Sequence, residues 1–288
     1  MSKIFITGGN GFIGTHSAEL LEKEGHDVYI YDKRTDNNIL DYNRLRSVMN
    51  TFKADAVLHL AANSSLQKSV QSPQYDATNN IIGTLNVIEA AKEVGAKRVV
   101  FASSTSIYGP TAEAPYQEDY RPAPSCPYGI SKLACEMYLE LSELSYACLR
   151  YANVYGPGQK PLGESILIAR ALDHMKNGAE FWINGDGWQV RDWVFVKDVA
   201  KANLAALLGT ETGVFNVGSG NGVSVNEIIA AVKAEMKFKG TIEHRPTIAW
   251  EPKVAVLAIH RIYNAFGWRA ETPIGNGIKE TVNAWLEQ

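Results

Sequence analysis

The chain has 288 residues, 45% of them hydrophobic and 20% charged, with a net charge of −3, enough to bury a core as one large domain or two unequal lobes without disulfides or a metal. That balance lacks the basic excess of a nucleic-acid binder, so no nucleic-acid partner is expected. No leader pattern opens the chain and no apolar run approaches the ~20 residues of a bilayer span, so the expectation is a cytoplasmic protein without a membrane partner.

In chain order, Lys3 to Thr7 reads as a buried strand, Phe12 to Lys23 as a helix closed near Gly25, and Asp27 to Tyr31 as a second strand. The alternation continues with "AVLHLAA" (Ala56 to Ala62), a long helix from about Tyr75 to Val94, and "KRVVFASS" (Lys97 to Ser104). A helix from about Tyr128 to Glu143 and the strand "YACLRY" from Tyr146 follow. Strands separated by helices imply βαβ units, so the expected fold class is α/β, a doubly wound parallel sheet covered on both faces. The rhythm breaks at "GPGQKPLG" (Gly156 to Gly163), which places a boundary between a first lobe, 1–155, and a smaller mixed α/β lobe, 156–288, with about 190–220 returning to the first. In that second part, helices are expected near Glu164 to Lys176, Lys197 to Leu208, Val225 to Met236 and Gly277 to Leu286, with strands near Phe181, Trp193 and Phe215. Cys126, Cys135 and Cys148 lack metal-ligand spacing and read as small buried hydrophobes of a reducing compartment; no metal is expected.

The stretch "TGGNGFIG" sets Gly8, Gly11 and Gly14 three apart between the first strand and the first helix. Without β-carbons there, the chain can turn tightly, backbone amides can approach a pyrophosphate, and the helix N-terminus adds partial positive charge. Phe12 and Ile13 anchor the helix beneath the turn, at the border of that cofactor site. Asp32 directly follows the second strand, where a carboxylate can accept hydrogen bonds from the adenosine ribose and repel a 2′-phosphate, favouring NAD over NADP. Lys33 and Arg34 beside it keep NADP open, or form a solvated turn.

In "PYGISK", Tyr128 and Lys132 are four residues apart and share one face of a helix. A neighbouring ammonium and a positive nicotinamide favour a phenolate, making Tyr128 a candidate general base; taken alone, without the glycine loop, the pair reads more readily as a surface aromatic beside a surface lysine. Ser104 closes a strand in "FASSTSIYG", where its hydroxyl can bond a substrate oxygen.

With these motifs and with "DAVLHLAA", "NNIIGTLNVIEAA", "SSTSIYG", "LRYANVYGPG" and "GDGWQVRDWVFVKDVA", the sequence resembles the extended short-chain dehydrogenase/reductases, in the NAD-dependent epimerase/dehydratase group acting on nucleotide sugars. The resemblance covers nearly the whole chain and implies a Rossmann-type first lobe, a nucleotide-sugar-binding second lobe, NAD as cofactor, and a homodimer built on helices near Asp76 to Val94 and Tyr128 to Glu143. It implies Ser104, Tyr128 and Lys132 as the catalytic trio. Gly8, Gly11, Gly14 and Asp32 would hold the dinucleotide, with Ala61, Ala62, Asn80 and Ser103 along its path and Asn38 and Ile39 beside adenine. Thr105 and Ser106 follow the catalytic serine toward the sugar, and Asn153, Arg191 and Arg245 correspond to residues near the sugar-nucleotide phosphates. Read without the resemblance, Arg191 is equally a surface ion pair with Asp192. Two departures stand out: Asn38 replaces an aspartate of many relatives, and "HRPTIAWEP" replaces an arginine-proline-glycine-acid run.

Sugar 4,6-dehydratases resemble one another in carrying an aspartate and a glutamate where this chain has Thr105 and Ser106, because eliminating water needs an extra acid and base. Related decarboxylases often carry a glutamate at Ser106. Hydride chemistry without dehydration remains, and the working expectation is 4-epimerisation of a UDP-sugar through a 4-keto intermediate. The alternatives are a nucleotide-sugar reductase, dehydrogenase or decarboxylase of the same family, and a non-catalytic dinucleotide-binding module.

Overall fold

The computed structural model describes residues 1–110, 112–161, 167–247 and 252–287. The first half runs β1 (Lys3–Thr7), α1 (Phe12–Lys23), β2 (Asp27–Tyr31), α2 (Tyr42–Phe52), β3 (Ala56–His59), α3 (Leu66–Gln71), α4 (Pro73–Ala77), α5 (Gly83–Glu93), β4 (Arg98–Ser104), α6 (Pro127–Glu140), β5 (Ser145–Tyr151) and β6 (Asn153–Tyr155). The second runs α7 (Leu167–Lys176), β7 (Phe181–Asn184), β8 (Val190–Phe195), α8 (Val196–Leu208), β9 (Gly213–Val217), β10 (Gly222–Ser224), α9 (Val225–Met236), β11 (Ile242–Arg245), β12 (Val254–Ala255), α10 (His260–Phe266) and α11 (Ile274–Leu286). The helix expected from Glu164 begins on residues outside those described; its described part is α7.

Six strands form one sheet in the order β2-β1-β3-β4-β5-β9, every pair parallel. Alternation along each strand sorts side chains onto two faces. Ile4, Ile6, Leu58, Val100 and Leu149 pack with Ala18 and Leu21 of α1 and Val199, Ala202 and Ala206 of α8. Phe5, Val57, Val99, Phe101 and Cys148 pack on the other face with Leu45 and Met49 of α2, Val87 and Ile88 of α5, and Cys135 and Leu139 of α6. Cys135 and Cys148 are therefore core side chains, whereas Cys126 is only half-buried at the start of α6. A third cluster joins α7, α9 and α11 to β7 and β8 through Leu172, Phe181, Trp193, Ile228 and Ile278.

The order reverses between β1's two neighbours, β2 and β3, so a crevice opens beyond their carboxyl ends; in open α/β sheets such crevices take ligands. The helix expected from Tyr75 to Val94 is present but not uniform. Thr78–Ile82 forms one π-helical turn between α4 and α5, and the extra residue per turn rotates everything upstream relative to everything downstream.

Candidate active site

A cavity of about 740 Å³ occupies the crevice. Its floor is the glycine loop, and its dimensions at that loop are set by backbone. Gly8 has φ +70°, and a Cβ there would lie 2.7 Å from the Ala61 nitrogen; a Cβ on Gly14 would lie 2.5 Å from the Gly8 carbonyl oxygen. Gly11 begins α1 without any side-chain cap, whereas Ser224 and Glu227 close the start of α9 with a reciprocal capping box. Two helices of one protein thus treat their orphan amides differently, and those of α1 face a cavity. This is the arrangement a pyrophosphate needs, so the residues present fit a dinucleotide.

At the adenosine end, the Asp32 carboxylate accepts from Asn10 N at 3.1 Å and Arg34 N at 2.9 Å. It ties the loop after β2 to the glycine loop, and the Arg34 guanidinium returns to the Asn10 carbonyl. Lys33, Arg34, Asn38 and Ile39 line the same end. Phe12 and Ile13 also border the cavity, as do Ala61, Ala62, Ser103, Tyr128 and Lys132.

Asn80 does not. Its side chain is buried, accepting from Asn63 N at 2.7 Å and donating to Asp76 Oδ1 at 3.0 Å, and Asn79 borders the cavity instead. The resemblance alone points to Asn80; both asparagines lie within the π turn, whose spacing turns Asn79 rather than Asn80 towards the cavity. Sequence reasoning also missed the segment Pro157 to Lys160, which forms a wall of the cavity where His16 Nε2 meets the Pro157 carbonyl at 2.9 Å. The Gly-Pro clustering there was a signal for a loop, not for what the loop covers.

Pro127 occupies the first turn of α6, so Tyr128 and Lys132 emerge one turn apart beside the ends of β4 and β5. Lys132 Nζ lies 5.6 Å from the Tyr128 ring centroid and donates to the Ala102 carbonyl at 2.6 Å. Burial pushes the Lys132 ammonium down to about 8. Burial also pushes the Tyr128 phenol up, with a hydrogen bond from Ser104 acting the other way. Burial thus works against the phenolate, and a positive charge beside the ring works for it. Ser104 Oγ lies 2.5 Å from Ser106 Oγ, and Thr105 and Ser106 form the short 3₁₀ turn that follows β4.

The remaining predicted residues lie apart from this cavity. Asn153 donates to the Asp192 carbonyl at 3.1 Å. Arg191 is buried in β8 and donates to the Val190 carbonyl at 2.8 Å, while the neighbouring Asp192 carboxylate accepts from Ser219 N and Oγ and from Gly220 N. Arg245, at the end of β11, stacks its guanidinium 3.6 Å from the Trp182 ring centroid.

Beneath the cavity, His59 is buried between the hydroxyls of Thr7, 2.6 Å away, and Thr84, 2.9 Å away. Burial first, and then the Lys132 charge, push it down to about 3. A group depressed in the folded state gives stability that is lost as pH falls, here from about 6.5 in the unfolded chain towards 3. By pH 4 the loss is about 3 kcal/mol. Urea titrations at pH 7 and pH 4 are expected to show this drop in the parent protein and a smaller one in His59→Gln; equal drops would remove His59 as its source.

The description NAD dependent epimerase/dehydratase family matches residues 4–218. The chain belongs to that family. It is 33% identical, over an alignment of 307 positions including gaps, to the UDP-glucose 4-epimerase of Mycolicibacterium smegmatis, covering 97% of each protein. The UDP-glucose 4-epimerase of Thermotoga maritima, solved with UDP-glucose, superposes with a TM-score of 0.95 at 34% identity over 99% of each chain. That of Thermus thermophilus, solved with NAD, gives a TM-score of 0.92 at 32% identity, again over 99% of each. Family membership makes NAD the cofactor that the glycine loop and the bordering residues would hold.

Proposed function

We propose that the protein is a UDP-sugar 4-epimerase. The observation that carries this reading is the placement of Tyr128 and Lys132 on one face of α6, beside Ser104 and at the wall of a cavity floored by an uncapped, glycine-started helix. The lack of a carboxylate at Thr105 and Ser106 supports epimerisation over dehydration. The similarity to UDP-glucose 4-epimerases supports UDP-glucose, and with it its C4 epimer UDP-galactose, as the substrate class.

When bound, NAD supplies the acceptor of the C4 hydride and then its donor. Tyr128 takes the proton of the C4 hydroxyl and later returns it, Ser104 bonds that oxygen, and the Lys132 ammonium stabilises the phenolate. The 4-keto sugar must turn between the two transfers while its nucleotide stays fixed. Contacts to the diphosphate by Arg191 and Asn153, and by Arg245 from the second lobe, would serve as the pivot, with binding energy drawn from a part that does not react. In this division residues 1–155, joined by about 190–220, form the lobe that mainly holds the cofactor, and the rest of 156–288 mainly holds the sugar nucleotide. Oxidation and reduction cancel in each cycle, so purified protein is expected to interconvert UDP-glucose and UDP-galactose with no added NAD. Stoichiometric NADH formation or consumption would instead establish a dehydrogenase or reductase.

We also propose that the molecule is a homodimer. Ile130, Met137, Tyr138 and Leu141 form an exposed apolar stripe on α6, and Ile82 is exposed between α4 and α5, which lie beside α6. Leu141 is 77% exposed and Met137 55%, an apolar surface that a twofold partner would cover. Sedimentation at micromolar concentration is expected to give a dimer, and Met137→Glu with Leu141→Glu a monomer. A monomeric parent would end this proposal. Among the described residues no helix is long and apolar enough to cross a membrane, and the free cysteines support a cytoplasmic location.

A further inference from the structure

Directly behind the catalytic trio lies a buried ion pair that the chemistry above does not use. Arg150 on β5 meets Glu136 on α6 in a two-pronged contact, Nη2 to Oε2 at 2.7 Å and Nε to Oε1 at 3.0 Å. The residues are 3% and 5% exposed. Burying two charges is costly, and apolar side chains of similar volume commonly give an equally stable core. The surroundings suggest a different reason for the pair. Glu136 Oε1 also accepts from Ser103 Oγ at 2.5 Å. Ser103 immediately precedes Ser104, and Ala102, the residue before it, provides the carbonyl that receives Lys132 Nζ. Glu136 is itself one helical turn beyond Lys132. On its far side Arg150 donates to the Glu118 carbonyl at 3.2 Å and lies 4.8 Å from the Tyr108 ring centroid. Tyr108 and Glu118 both bond to Asn216 of β9, through Oδ1 at 2.6 Å and N at 2.9 Å.

We propose that Glu136 and Arg150 are positioning residues for the epimerisation, clamping the last three residues of β4 so that the Ser104 hydroxyl and the Ala102 carbonyl are held against α6. The inference rests on the epimerase reading. The bidentate geometry fixes the carboxylate, the carboxylate fixes Ser103, and a peptide unit fixed at Ser103 leaves its neighbours little freedom. Electrostatics act in the same direction. The Lys132 ammonium is faced by Tyr128, Cys135 and Glu136 of α6, Asp76 of α4, Cys148 of β5 and His59 of β3. Of these, Asp76 and Glu136 are the carboxylates that support its charged form against burial. Removing the charge of Glu136 takes away one of these two, and the ammonium loses its proton at lower pH.

The test compares two variants with the parent in the same UDP-sugar assay. Glu136→Gln is expected to lower kcat about tenfold or more with KM changed less than about threefold, and to move the alkaline limb of the pH–kcat profile to lower pH. Glu136→Met combined with Arg150→Met replaces the pair with apolar side chains; it is expected to unfold near the parental temperature, yet to keep kcat at least about tenfold down. Parental kcat and an unmoved alkaline limb in Glu136→Gln would overturn the inference, and so would recovery of turnover along with stability in the double variant. A parent that epimerises no UDP-sugar would overturn the epimerase reading instead, and that result is read before either variant is made.

Discussion

Tyr128→Phe is expected to lower kcat about a thousandfold while leaving the thermal midpoint and the KM for the sugar nucleotide nearly unchanged. Removing a positioned general base costs typically 10²–10⁴ in rate, and the phenol is the group whose proton is out of place in the ground state. Burial raises its proton affinity in the folded protein, so the transfer depends on the charges gathered when the site is filled. The ring still packs in the variant, which keeps the wall of the cavity. A kcat within tenfold of the parent would remove Tyr128 as the base. A large rise in KM with unchanged kcat would make it a binding residue.

Gly14→Ala is expected to lower NAD affinity at least about a hundredfold and to destabilise the protein by about 1–3 kcal/mol. The added methyl would sit 2.5 Å from the Gly8 carbonyl oxygen, 2.6 Å from the Gly9 carbonyl oxygen and 2.7 Å from the Gly9 Cα. All three obstacles are backbone, so the start of α1 must move away from the loop and carry its amides out of reach of the phosphates. Calorimetric titration with NAD and the cofactor content of purified protein both read the outcome. Equal affinity in Gly14→Ala and the parent would mean that the loop does not hold the pyrophosphate.

Local features of the fold were legible because short-range periodicity carries them. α1, β2 and α9 have the expected bounds, each combining apolar spacing with a glycine, an acidic residue or a capping box at its end. α2 escaped notice because only Leu45 and Met49 of its face are buried, too thin a stripe to rise above a polar background. β10, β11 and β12 have two to four residues each, and what makes them strands is a partner far away in the chain rather than their own composition. The site divides in the same way. The glycine loop and the Tyr-Lys pair are contiguous in sequence, so elementary geometry places them. The Ser103–Glu136–Arg150 contact spans three separate segments, and no spacing rule brings those together.

The single wide turn at Thr78–Ile82 makes this region unusually sensitive to chain length. It accommodates one residue more than an α-helix would, so losing one of the five would close the segment into an uninterrupted α-helix with α4 and α5 nearly as they now lie, whereas gaining one would leave no turn to absorb it and would twist α4 by about 100° against α5. Asp76 would then swing away from Ser131, whose hydroxyl it now receives at 2.7 Å, and the adjacent Lys132 would lose a compensating negative neighbour. Gene lineages descending from this sequence should therefore accept the loss of one residue in that pentapeptide far more readily than the gain of one.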